Sequence, residues 1–143
     1  MPRYDFETFD VFTNTKFAGN PLAVVANATG LSTADMQTIT REFNLSETTF
    51  VLPPENAQNT ARVRIFTLGY EMPFAGHPTV GTAISIARAR KISGVLRLEL
   101  NAGLFPVTVD LDRPAPFAEF QNPNLPAERG AAPDATLIEA ALS

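Results

Sequence analysis

The residue pattern predicts an α+β domain. Two stretches have helical periodicity, from about Ser32 to Asn44 and from about Pro78 to Lys91. Around them lie short alternating or β-branched runs, several joined by tight-turn signals. The order strand, strand, helix, strand, strand, helix, strands lacks the regular alternation of a doubly wound α/β fold.

The 143 residues suffice for one domain with a real core. A hydrophobic content of 45% with 18% charged residues belongs to a globular chain, not a disordered one. The formal charge of -4 argues against nucleic acid or an anionic membrane as partner. With no cysteine, disulfides, thiolate metal sites and thiol bases are excluded. A single histidine gives no histidine-rich metal site, so no protein-held metal is expected. The N-terminus has no apolar signal core and no apolar run spans a bilayer, so a soluble, cytoplasmic protein is expected.

Arg3 to Phe12 reads as a strand whose alternation slips between Tyr4/Phe6 and Phe9/Val11, the mark of a bulge or a change of face. Asn14 to Asn20 is a loop ending in Gly19-Asn20-Pro21, and Leu22 to Ala26 a buried strand. Ser32, with Asp35 three residues on, forms a capping box; Met36, Ile39 and Phe43 share the face of the helix that follows. That helix ends near Asn44, and a strand begins near Thr48. In Ala61 to Thr67, Val63 and Ile65 face one way and Arg62 and Arg64 the other, toward solvent. The second helix presents Val80, Ala83, Ile84 and Ala87 as an apolar stripe and ends in Arg88, Arg90 and Lys91, which complement its dipole. Leu96, Leu98 and Leu100 share one face of a strand. Asn101-Ala102-Gly103 turns it into a hairpin with Leu104 to Leu111, and Phe117 to Gln121 is a further strand. The prolines from Pro114 to Pro133 mark an irregular connection, and Asp134 can cap a last helix over Ala135 to Leu142.

The chemistry concentrates at Gly76-His77-Pro78, with Pro78 taken as the first residue of the second helix. The free N–H groups and positive dipole end there suit a carboxylate or oxyanion. A neutral His77 can give or take one hydrogen bond and act in proton transfer; equally, it can be a plain helix cap. Gly76, Thr79 and Gly81 offer close backbone approach and one hydroxyl, or simply helix geometry. Glu47 is the second candidate. Among Ser46, Thr48 and Thr49 it can be held by hydroxyls, and partial desolvation by Phe50 would suit it to general acid/base work. The alternative is a solvated carboxylate at a strand start.

Several stretches together resemble the PhzF family of phenazine-biosynthesis proteins. They are Asp10-Val11-Phe12-Thr13, Phe17-Ala18-Gly19-Asn20-Pro21-Leu22-Ala23-Val24-Val25, Asn44-Leu45-Ser46-Glu47-Thr48-Thr49-Phe50, Arg64-Ile65-Phe66-Thr67 and Glu71 through Ala83. The resemblance implies a diaminopimelate-epimerase-like fold with two similar halves, each a curled mixed sheet around a central helix, and a cleft between them. In the best-known member, a glutamate of the Asn-x-Ser-Glu stretch shuttles a proton in the isomerisation of a dihydro-hydroxyanthranilate; carried over, it is Glu47. The family's Gly-His pair, here Gly76 and His77, lines the same cleft. A two-thiol racemase, as in the related epimerases, is excluded by the lack of cysteine. Leu68-Gly69 stands where the family often has proline.

The implied function is a cofactor-independent isomerase moving a proton between carbons of a small carboxylated metabolite. Glu47 and His77 would be catalytic, and Gly76, Thr79, Ser46 and Asn20 would bind substrate. Residues 1–112 would form the N-terminal half, and 113–143 a Pro-rich linker and the start of a second domain. The expected partner is a second copy or a complementary half. A non-catalytic half that binds a partner through an exposed cleft face is the competing expectation.

Overall fold

The computed structural model describes residues 3–122 together with Gly130, Ala135, Thr136 and Glu139. Eight strands and two helices follow in the order β1 (Phe6–Val11), β2 (Asn20–Val25), α1 (Thr33–Phe43), β3 (Glu47–Leu52), β4 (Ala61–Thr67), β5 (Glu71–Met72), α2 (Gly76–Arg90), β6 (Gly94–Leu100), β7 (Gly103–Asp110) and β8 (Phe117–Phe120). They form one mixed sheet, ordered β1-β2-β3-β4-β6-β7-β8, with β5 paired to β4. The final helix expected over Ala135 to Leu142 lies, apart from Ala135, Thr136 and Glu139, outside the described residues. Strand β8 follows the expected boundary at 112 and pairs antiparallel with β7.

Two parallel pairs, β2/β3 and β4/β6, are each bridged by a helix, while β3 and β4 run antiparallel. Both crossovers step the same way along the sheet, but their strands point in opposite directions. Crossovers of one hand must then place their helices on opposite faces, and α1 and α2 do lie on opposite faces. Val25, Met36, Phe50 and Phe66 pack around α1; Leu22, Val24, Val51, Val63, Ile65 and the β6/β7 leucines and valines pack around α2.

The phase slip in β1 follows from this division. The β1/β2 register runs unbroken from Phe6 opposite Val25 to Val11 opposite Asn20, so there is no bulge. Phe6 turns to α1, its ring 4.6 Å from that of Phe43, whereas Phe9 and Val11 turn to α2. Of the two readings, the change of face is the correct one.

Helix α1 starts and stops as its sequence dictates. Ser32 accepts from the Asp35 N–H at 3.1 Å, and Asp35 Oδ2 accepts from the Ser32 N–H at 3.1 Å. Asn44 closes the helix in the left-handed region at φ 53°. Strand β3 therefore begins at Glu47, one residue earlier than expected.

Helix α2 departs from expectation in two ways. It begins at Gly76, not Pro78, with Ala75 as N-cap. Thr79 N–H to the Ala75 carbonyl is the first bond of the helical ladder, so Pro78 still sits where no N–H is needed. Secondly, no single stripe is buried: nearly every residue from His77 to Ala87 is. An apolar stripe suits a helix lying on a flat sheet, but here the sheet curls until both edges, β1 and β8, touch α2. Small side chains permit the approach, and a Cβ added to Gly81 would lie 2.6 Å from Leu22. Buried hydroxyls find partners on the sheet: Thr82 and Thr49 share a bond of 2.7 Å, and Ser85 donates to Glu7 at 3.0 Å. Ile84 is only half-buried and lines a groove of about 590 Å³ between β1 and residues 113–118.

The arginine face of β4 is less solvated than expected. Arg64 donates through Nε to Glu71 Oε1 at 2.8 Å and reaches Thr33 of α1, which holds the Glu71 carboxyl below its ordinary range. Arg62 pairs with Glu55. At Leu68-Gly69 the Thr67 hydroxyl accepts from the Tyr70 N–H at 3.1 Å and shapes the turn without proline.

Gly19 joins the β1–β2 loop to β2. A Cβ there would sit 2.5 Å from the Val11 carbonyl oxygen, a backbone atom that cannot swing aside. Gly19→Ala is expected to destabilise the fold by about 1–3 kcal/mol, the usual range for overpacking. Urea unfolding with an unchanged m-value would register it as a lowered midpoint.

Candidate active site

The N-terminal ends of β2, β3 and α2 meet at one rim of the curled sheet. Leu22 and Glu47 lie opposite each other in the parallel β2/β3 pair, which sets Asn20, the first residue of β2, near Ser46, the residue just before β3. Alternation along β3 puts Glu47 on the same face as Thr49 and Val51, toward α2. Phe50 lies on the opposite face, edge-on to Phe66 at 5.4 Å. The expected desolvation of Glu47 by Phe50 is thus corrected: the two side chains point away from each other.

What Glu47 meets is His77. Its Oε2 lies 3.2 Å from His77 Nε2, with side-chain exposures of 17% and 9%. The pair is close but not aligned for a hydrogen bond, so both atoms are buried without a partner of that kind. Buried polar atoms left so are few in native proteins and often mark sites of chemistry. Thr48 Oγ1 is another, on the α1 side of β3.

The other ring nitrogen is engaged. Asn20 Nδ2 lies 3.1 Å from His77 Nδ1. Ser46 Oγ in turn lies 3.3 Å from Asn20 Oδ1 and 3.4 Å from the Pro21 carbonyl. Ser46 therefore serves Asn20, not Glu47; the hydroxyls expected to hold the acid are turned elsewhere. Burial pushes the imidazole below its ordinary value of 6.5, against the opposing pull of the Glu47 carboxylate and the Pro21 carbonyl. His77 is thus held neutral at physiological pH.

The start of α2 supplies the remaining chemistry. Ala75 has no side chain that can cap, and no side-chain bond closes this end. The first N–H groups of a helix have no intrahelical acceptor, and an uncapped end keeps its partial positive charge available. Gly76 sits at this end, half-buried. Thr79 is displaced inward: it is fully buried, and its hydroxyl donates to the Ala75 carbonyl at 2.7 Å. Its hydroxyl closes the first helical turn instead of facing the rim. The structure thus brings Glu47, His77, Asn20 and Ser46 into one chain of contacts, with Gly76 beside it and Thr79 behind. Spacing alone missed the part of Ala75. The signal was present in the absence of Ser, Thr, Asp or Asn before Gly76.

Among the described residues, no helix is long and apolar enough to cross a membrane, and no three acidic or histidine side chains cluster as metal ligands.

A curled mixed sheet around a buried helix is the half-barrel of an epimerase-like fold. The phenazine biosynthesis-like protein family (PhzC-PhzF) matches residues 9–143, and the chain belongs to it. It is 50% identical over 144 aligned residues to an uncharacterized isomerase of Mesorhizobium japonicum, covering 99% of this chain and 48% of that protein. It is 38% identical to the trans-2,3-dihydro-3-hydroxyanthranilate isomerase of Pseudomonas fluorescens, over 96% of this chain and 49% of that one. A solved PhzF-family phenazine biosynthesis protein from Bacillus anthracis superposes with a TM-score of 0.73 at 35% identity, covering 80% of this chain and 39% of the other. The chain spans about half the length of the curated relatives it matches.

His77 is the only imidazole in the chain, so its titration can be followed without assignment. Its midpoint is expected below 6.5 by proton NMR. The unfolded chain takes up a proton near 6.5 that the folded chain refuses, so stability falls as pH drops below 6.5 and continues to fall to the folded midpoint. His77→Gln should flatten that part of the stability-against-pH curve, whatever it does to absolute stability.

Proposed function

We propose that this chain carries the acid/base machinery of a cofactor-independent isomerase. Such an enzyme moves a proton between carbons of a small, unsaturated carboxylated metabolite. The observation that carries the reading is the meeting of Glu47 Oε2 and His77 Nε2 at 3.2 Å, both buried, beside the uncapped start of α2.

The roles follow from charge. The Glu47 carboxylate takes a proton from a substrate carbon, and the C–H electron pair moves into the conjugated system. Negative charge then develops on the substrate's acceptor end. Facing the Gly76-His77 end of α2, that charge meets N–H groups and a positive dipole already in place, which stabilises it without reorganisation. The protonated Glu47 returns its proton to a second carbon, so acid and base are restored. A neutral His77 beside the carboxylate does not hold it as a permanent ion pair, so the acid stays free to cycle.

The substrate proposed is the one named for the Pseudomonas fluorescens relative, trans-2,3-dihydro-3-hydroxyanthranilate, or a close analogue. Asn20 and Ser46 are exposed at the rim, so a bound molecule would be walled on one side only. An opposing half, from the same polypeptide, a complementary chain or a second copy, would close the site, and activity would depend on it.

The test is Glu47→Gln in the protein assembled with its opposing half. Incorporation of solvent deuterium into the substrate, followed by NMR, is expected to fall by about 10²–10⁴-fold, the usual contribution of a positioned acid/base group. Exchange at the unaltered rate would remove Glu47 from the mechanism.

A further inference from the structure

The contacts behind His77 decide where its one proton sits. A neutral imidazole carries a single N–H, and the hydrogen bond at one nitrogen sets the state of the other. Nδ1 faces Asn20 at 3.1 Å, and Nε2 faces Glu47 at 3.2 Å. The Asn20 amide can present either end to the ring. Its Oδ1, however, lies 3.3 Å from the Ser46 hydroxyl, which can donate to it, leaving Nδ2 for the imidazole. An N–H donor at Nδ1 requires a bare nitrogen there, so the ring proton must be on Nε2.

We propose that Asn20, oriented by Ser46, is a positioning residue that fixes His77 as the Nε2–H tautomer and so places the ring's one N–H on the nitrogen nearest Glu47. The assignment rests on the reading of Glu47 and His77 given above for its functional meaning, but not for its geometry. With the proton on Nε2, the nitrogen 3.2 Å from the Glu47 oxygen carries a hydrogen with partial positive charge. With the proton on Nδ1, a lone pair would face the carboxylate and repel it. The competing arrangement is at hand, because the Pro21 carbonyl also neighbours the ring and can accept from a ring N–H. Asn20 therefore selects between two otherwise available states. The Asn20 side chain reaches from the first residue of β2 to the second residue of α2, two elements 57 positions apart in sequence. It thus locks the imidazole across the seam between sheet and helix.

The experiment is a long-range proton–nitrogen correlation on the nitrogen-15-labelled chain, at a pH well above 6.5. Only one histidine ring contributes. The expected spectrum shows Nε2 in the protonated range and Nδ1 as a bare nitrogen. A proton found on Nδ1 in the wild-type chain overturns the proposal, whatever Glu47→Gln does to activity. Asn20→Asp is nearly isosteric but replaces the donor by an acceptor. It is expected to bring a proton to Nδ1 and to raise the titration midpoint of the ring. A ring that keeps Nδ1 bare in Asn20→Asp would also overturn the assignment. Ser46→Ala leaves the amide in place but frees its orientation, and a partial shift of the proton toward Nδ1 is expected. An unchanged spectrum in Ser46→Ala would remove Ser46 from the device. Conversely, an unaltered tautomer pattern together with normal loss of activity in Glu47→Gln would leave the isomerase reading standing and this one refuted.

Discussion

The burial of α2 on every side is the constraint from which the rest follows. A helix enclosed by one curled sheet cannot carry bulky side chains all round, and between His77 and Ala87 it carries mostly small ones. Nor can it hide hydroxyls without partners, and those of Thr79, Thr82 and Ser85 each have one. The two ends differ. At the C-terminus, Lys91 in the left-handed region takes up the Ala87 and Arg88 carbonyls. At the N-terminus the chain offers alanine and glycine, and the dipole is left without a side-chain cap. The same enclosure that stabilises the helix thus aims its positive end at the rim where Glu47 begins β3.

This placement explains why an acid and an imidazole can share a site without forming a strong ion pair. Burial disfavours the charged imidazole, while the nearby carboxylate favours it, and burial prevails. A neutral ring beside a carboxylate is a weaker tether than an imidazolium would be. That suits the proton transfer proposed for Glu47.

Much of this was legible in the sequence, and the limits have physical causes. Local signals carried α1, since capping box and left-handed terminus are fixed by residues within one turn of each other. The alternation of Val63 and Ile65 with Arg62 and Arg64 gave the faces of β4, although not the Glu71 partner, because β5 is only two residues long. Glu47 and His77 were visible as candidates through their positions at element starts and through the ordered family stretches. Their mutual contact was not, nor was the turning of Phe50 away from the acid. Both depend on which face of β3 meets which helix. That face is set by the sense of two crossovers, a property of topology and not of any local window. The start of α2 was misplaced because Pro78 suits N1 and N3 alike, while Ala75 gives no positive signal.

The arrangement of the sheet edges has a bearing on how the chain folds. Hairpins β1–β2 and β6–β7 join near neighbours and can form early. Strands β1 and β8, by contrast, come from opposite ends of the described chain and both rest on α2. Wrapping is complete only when these remote segments have found the same helix, and loop-closure entropy opposes that search. The slow event in assembling this half is therefore expected to be the final approach of its two outermost strands, with helix formation comparatively fast.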